Sequence, residues 1–167
     1  MKILAVDDDQ LQLDMLTAIL NDAGYSDVTT VTSGALALHE LNNPNATFDS
    51  ILMDIQMPEL DGIELCKIVR LMPKYQTTPI IMITAMSEKS YIDNAFLAGA
   101  TDYVTKPFDK MELVTRIKIA LKLNSSNRAV KKLRDQIEAE RHFEIDSPVT
   151  IENIPGVVDA AILVFRV

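Results

Sequence analysis

Residues 79–84, Pro-Ile-Ile-Met-Ile-Thr, decide the fold class. A strand with one face in water alternates apolar and polar side chains. This run does not alternate, so both of its faces need cover. Four further short stretches read as strands: Lys2–Val6, Val28–Val31, Ser50–Asp54 and Asp102–Thr105. Helical patterns separate them. Gln10–Asn21 sets Leu13, Leu16 and Leu20 on one face, with Asp9 placed as N-cap and Gly24 just past the end. Ser33 can cap a helix carrying Leu38 and Leu41, which Asn42-Asn43-Pro44-Asn45 stops. After a break at Met57-Pro58, a helix covers Gly62–Leu71, and Ser87 opens another that runs to Gly99. Asp109 caps the last, with Glu112 reaching back as a capping box. Strict alternation of five strands and five helices predicts an α/β, doubly wound domain: a five-stranded parallel sheet, right-handed crossovers, helices on both faces.

Composition narrows the function. The chain has 167 residues, enough for one ordinary domain of about 100–150 residues and a surplus. An apolar share of 48% excludes wholesale disorder. No apolar run approaches the roughly 20 residues that cross a bilayer, and Asp7-Asp8-Asp9 comes too early for a signal peptide. A lone cysteine, Cys66, can form no internal disulfide, which predicts a reducing, cytoplasmic setting. The net charge of −8 argues against direct nucleic-acid binding by this segment. Residues 1–123 carry 17 acids and 10 bases, so nearly all of the excess lies there.

Those residues form the predicted domain, and residues 124–143 read as a helical linker or short coiled coil. Asn124-Ser125-Ser126-Asn127 interrupts the apolar pattern; Arg128–Phe143 resumes it with Val130, Leu133 and Ile137, as a helical extension of the preceding helix or a short coiled-coil seam. Glu140 falls where the next apolar residue belongs, so a solvated helix fits as well as a seam. Residues 144–167 turn apolar and read as the start of an effector domain that the chain does not complete.

Ligands of open parallel sheets bind beyond the carboxyl ends of the strands. The predicted ends carry Asp7, Asp8 and Asp9, then Asp54, then Thr84-Ala85, then Thr105-Lys106-Pro107. Crowded carboxylates repel unless a cation intervenes, and all-oxygen ligands with room for water suit Mg²⁺. A carboxylate beside Mg²⁺, a lysine and a hydroxyl is equipment for phosphoryl transfer through an aspartyl phosphate. Singly, each residue has an ordinary explanation. Asp7–Asp9 can turn and cap a chain, Thr84 favours strands, Lys106 can be solvated and Tyr103 can be a half-buried edge residue. His39 and His142 lie outside the constellation and read as surface residues. Met53, Met57, Met82 and Met86 read as core filling.

Four separated motifs then agree with one family: Val6-Asp7-Asp8; Met53-Asp54-Ile55-Gln56-Met57-Pro58 with Asp61-Gly62; Ile83-Thr84-Ala85; and Tyr103-Val104-Thr105-Lys106-Pro107-Phe108. Over residues 1–123 the chain resembles the receiver domain of two-component response regulators. The resemblance implies a flavodoxin-like strand order 2-1-3-4-5 and Asp54 as phosphoacceptor. It implies Mg²⁺ held by Asp8 directly, by Asp7 through water, by Asp54 and by the backbone carbonyl of Gln56. Thr84 would hydrogen-bond the phosphoryl group, Lys106 would pair with it, and Tyr103 would swing inward as Thr84 moves. The Lys106-Pro107 bond is expected to be cis. The implied donor is a sensor histidine kinase or phosphotransfer protein. A switch with slow self-dephosphorylation is implied rather than an enzyme. A homodimer through the fourth helix, fifth strand, fifth helix and the helix that follows is also implied. Gln56 and Met86 hold positions that tune phosphoryl lifetime, and Met86 is expected to hinder the attacking water. Two alternatives stay open: a Mg²⁺-dependent phosphatase with Asp7 as nucleophile and Asp9 as acid/base, and a scaffold that is not phosphorylated.

Overall fold

The computed structural model describes residues 1–85 and 89–146. Strands β1 (Lys2–Val6), β2 (Asp27–Val31), β3 (Ser50–Asp54), β4 (Ile80–Thr84) and β5 (Asp102–Thr105) alternate with five helices. These are α1 (Gln10–Asp22), α2 (Gly34–Asn42), α3 (Gly62–Leu71), α4 (Lys89–Leu97) and α5 (Lys110–Asp146). The strands pair in parallel in the order β2-β1-β3-β4-β5. That is the flavodoxin-like, doubly wound arrangement expected from the alternation and the family resemblance.

Successive strand residues face opposite sides, and each side has its own helices. Leu4, Val6, Ile51, Met53, Ile80 and Met82 pack with residues of α2, α3 and α4. Ile3, Ala5, Leu52, Ile81, Ile83 and Val104 pack with residues of α1 and α5. Because β3 and β4 are buried on both faces, their runs had to be apolar throughout.

Side-chain caps fix the helix starts. Asp9 accepts from the Leu11 amide at 2.9 Å, Ser33 from Leu36 at 3.2 Å and Asp61 from Glu64 at 2.7 Å. Asp109 accepts from the amides of Met111 and Glu112. Glu112, read as the returning half of a capping box, ion-pairs with Arg116 instead. Ser87, expected to open α4, and Met86, expected to tune phosphoryl lifetime, lie outside the described residues. So does the segment 147–167, which holds most of the apolar C-terminal stretch. His39 is exposed, and Val130, Leu133 and Ile137 are exposed on their helix.

The polar stretch 124–127 breaks the apolar pattern but not the helix: α5 runs through it, the extension of the preceding helix that the sequence allowed. Ser125 and Ser126 turn their hydroxyls back onto the Lys122 carbonyl at 2.8 and 3.1 Å, as serines in helices can. Asn124 is buried, and its Nδ2 donates to the Asp49 carbonyl at 3.0 Å. The chain divides into two units, Met1–Arg128 and Ala129–Val167, and the site described next lies within the first.

Candidate functional site

Strand order reverses direction between β1 and β3. The chain leaves β1 for β2 on one side and leaves β3 for β4 on the other. A crevice therefore opens beyond the carboxyl ends of β1 and β3. Asp7, which follows β1, and Asp54, which ends β3, are 2% and 4% exposed there. Asp8 is exposed, and carboxylate oxygens of Asp7, Asp8 and Asp54 lie within 4.8 Å of one another. Asp7 also accepts from the Asp9 amide at 3.0 Å, which fixes its carboxylate against the turn.

Lys106 reaches into this crevice from the end of β5. Its Nζ lies 2.8 Å from Asp7 Oδ2 and 2.9 Å from Asp54 Oδ1. The Lys106-Pro107 bond is cis, as expected, and the Lys106 amide donates to the Thr84 carbonyl at 2.7 Å. Thr84 is fully buried at the end of β4. The Gln56 backbone amide hydrogen-bonds the Asp54 carboxylate.

The loop after Asp54 is held close. The Gly62 amide donates to the Ile55 carbonyl at 3.0 Å. A Cβ at Gly62 would stand 2.1 Å from the Asp54 carbonyl oxygen, so only glycine lets α3 begin this near the acceptor strand. Between them Glu59 adopts a left-handed conformation, φ 66°, the tight turn that brings the chain back. Leu60 then seats on α2 against Gly34, where a Cβ would approach its side chain to 2.8 Å.

Burial pushes the Asp54 carboxyl above the usual carboxylate range. The neighbouring Asp7 adds to this, and Lys106 and the Gln56 amide offset only part of it. Burial alone would lower the Lys106 ammonium, but hydrogen bonds to Asp7 and Asp54 carry it above an ordinary lysine. Two buried carboxylates thus share one ammonium, and the Asp8 carboxylate stands beside them. Such a hard, oxygen-only donor set with surplus negative charge fits a divalent cation of the Mg²⁺ kind.

The structure thus brings Asp7, Asp8, Asp54, Lys106 and the Gln56 amide together, with Thr84 at the adjoining strand end. Tyr103 is engaged elsewhere. Its half-buried ring meets Phe96 of α4 edge to face at 5.9 Å, with the Arg116 guanidinium 5.9 Å from its centroid. Sequence reading missed Arg116 and the close approach at Gly62. The four-residue spacing of Glu112 and Arg116, and Gly62 opening a helix after an aspartate, were signals that could have been read; the reach of Arg116 to Asp102 and Tyr103 had none.

The description "response regulator receiver domain" matches residues 3–118. Protein RcaC of Microchaete diplosiphon is 39% identical over 127 residues, which cover 76% of this chain and 19% of RcaC. The heme response regulator HssR of Staphylococcus epidermidis is 36% identical over 156 residues, covering 92% of this chain and 66% of HssR. The chain therefore spans about a fifth of one relative's length and about two thirds of the other's. Among solved structures, the receiver domain of sensor histidine kinase PA1611 from Pseudomonas aeruginosa has a magnesium ion coordinated in its active-site cleft. It superposes with a TM-score of 0.66 at 31% identity, covering 72% of this chain and 97% of that one. A match running from the first strand into the fifth helix makes the chain a member of the response regulator receiver domain family, the switches of two-component signalling.

Proposed function

We propose that Asp54 accepts a phosphoryl group from a phosphohistidine on a sensor kinase or phosphotransfer protein, in the cytoplasm and with Mg²⁺ bound. The observation that carries this is the single Lys106 ammonium held by both Asp7 and Asp54 at the mouth of the sheet. A carboxylate oxygen of Asp54 attacks phosphorus in line. The P–N bond breaks, its electron pair leaves with the imidazole, and an acyl phosphate remains. Bound Mg²⁺ would neutralise the phosphoryl oxygens, held by Asp7, Asp8, Asp54 and the Gln56 carbonyl. Lys106 then exchanges its Asp54 oxygen for a phosphoryl oxygen, and the Thr84 hydroxyl donates to the same group. These charge-assisted bonds bias a two-state equilibrium in which Tyr103 moves toward Thr84. The output face is α4, β5 and α5, where Phe96, Leu97, Met111 and Ile119 are exposed. That face, with Val130, Leu133 and Ile137 of the continuing helix, is the proposed contact with a second copy.

Treatment with acetyl phosphate and Mg²⁺, followed by mass spectrometry, is expected to show one phosphoryl group on Asp54, absent from Asp54→Asn. An adduct on Asp7 would support the phosphatase reading, and an unmodified wild type the scaffold. The phosphatase reading also needs Asp9 as acid/base, yet Asp9 is committed to capping α1. Asp9→Ala is expected to cost about 1 kcal/mol of stability, read by urea titration, while the adduct still forms.

A further inference from the structure

Arg116 lies outside the carboxylate crevice, yet two carboxylates anchor it on the output face. Its Nη1 donates to both Asp102 carboxylate oxygens at 2.9 Å. Its Nε and Nη2 donate to Glu112 Oε1 at 3.1 and 3.0 Å. Asp102 is tied down as well, because its Oδ1 accepts from the Tyr103 amide at 2.9 Å. Two carboxylates therefore fix the plane of a guanidinium that rests on the Tyr103 ring. The same ring packs against Phe96. Tyr103 is thus gripped by α4 through an aromatic edge and by α5 through a cation, and turning toward Thr84 gives up both contacts.

We propose that Arg116 is a positioning residue for Tyr103: clamped by Asp102 and Glu112, it holds the ring at the α4–β5–α5 surface and sets how often the ring is free to turn. This rests on the switch proposed above and adds a restraint that the switch must overcome. It follows that a partner which draws Asp102 or Glu112 into its own ion pairs loosens the restraint from outside. Binding at the output face and phosphorylation at Asp54 then favour the same turn, reciprocally.

The full chain labelled with 3-fluorotyrosine tests this by ¹⁹F NMR, with Tyr103→Phe assigning the resonance. In the wild type the Tyr103 signal is expected to shift when acetyl phosphate and Mg²⁺ are added. If it does not, the switch itself is wrong, whatever Arg116 does. In unphosphorylated Arg116→Gln the signal is expected part of the way toward the phosphorylated position, from a turned population raised about two- to fivefold, the yield of a partly exposed cation–π contact. Glu112→Gln, which leaves the Asp102 pair, is expected to shift it less, and Arg116→Lys, which keeps a cation by the ring, to restore part of the wild-type position. A wild-type shift on phosphorylation, together with an Arg116→Gln signal that coincides with the wild type in the unphosphorylated state, would overturn the proposal. A loss of thermal stability alone, without movement of the resonance, would make Arg116 merely structural and overturn it too.

Discussion

Gly62→Ala is expected to destabilise the receiver unit by about 3 kcal/mol or more, the size of the severest overpacking changes. The added methyl would meet backbone rather than a movable side chain, at 2.1 Å from the Asp54 carbonyl oxygen. Neither β3, buried between β1 and β4, nor the first turn of α3 can retreat without breaking the Gly62–Ile55 hydrogen bond. Gly34→Ala is the matched control, since the atoms nearest its methyl belong to the Leu60 side chain and not to backbone. That change is expected to cost clearly less. Urea titration of both variants checks the pair. Equal stabilities would show that the backbone around the acceptor yields more readily than the geometry implies.

Asp54→Asn is expected to raise the stability of the metal-free protein by about 1 kcal/mol or more, as neutralising poorly compensated buried charge often does. The sign follows from the raised Asp54 pKa. The folded state holds its proton to higher pH than the unfolded chain, so stability is lost as pH rises from the unfolded value through the folded one. Asparagine carries no charge to bury and avoids that loss, while Lys106 keeps Asp7. For a domain of this size the midpoint is expected to rise by about 3–5 °C. Mg²⁺ is expected to raise the wild-type midpoint and to raise the variant's less, because one carboxylate of the cluster is gone. Thermal scans with chelator and with Mg²⁺ read both effects. A variant less stable than wild type without metal would mean that the Lys106–Asp54 pair outweighs the burial of the carboxylate.

The parts of this molecule that were legible in sequence are those fixed by short-range chemistry. The run Ser50–Asp54 appears as a strand at the residues expected, since apolar cover on both faces leaves an unmistakable pattern. Asp9, Ser33 and Asp109 cap helices because an Asx or serine oxygen needs only the amides two or three residues on. The carboxylate cluster was legible because strand ends in a parallel sheet share one edge, so placing residues on strands places them together. The burial of Asn124 was not legible, for the opposite reason. What satisfies it is the Asp49 carbonyl, 75 residues earlier, and nothing local announces that. The pairing of Arg116 with Asp102 was invisible in the same way. An arginine in a charged helix reads as solvated until β5 is seen to lie beside α5 and offer it Asp102 and the Tyr103 ring.

The Lys106–Asp7 bond joins residues 99 apart in sequence, one from the first strand end and one from the last. The site is therefore complete only after nearly the whole domain has been synthesised and β1, β3, β4 and β5 have found their neighbours. A ribosome that stalls before β5, or a protease that nicks the chain ahead of it, leaves a polypeptide with its aspartates but without its ammonium. Such fragments retain Asp54 and still cannot form the site, so competence to carry a signal doubles as proof that folding has finished.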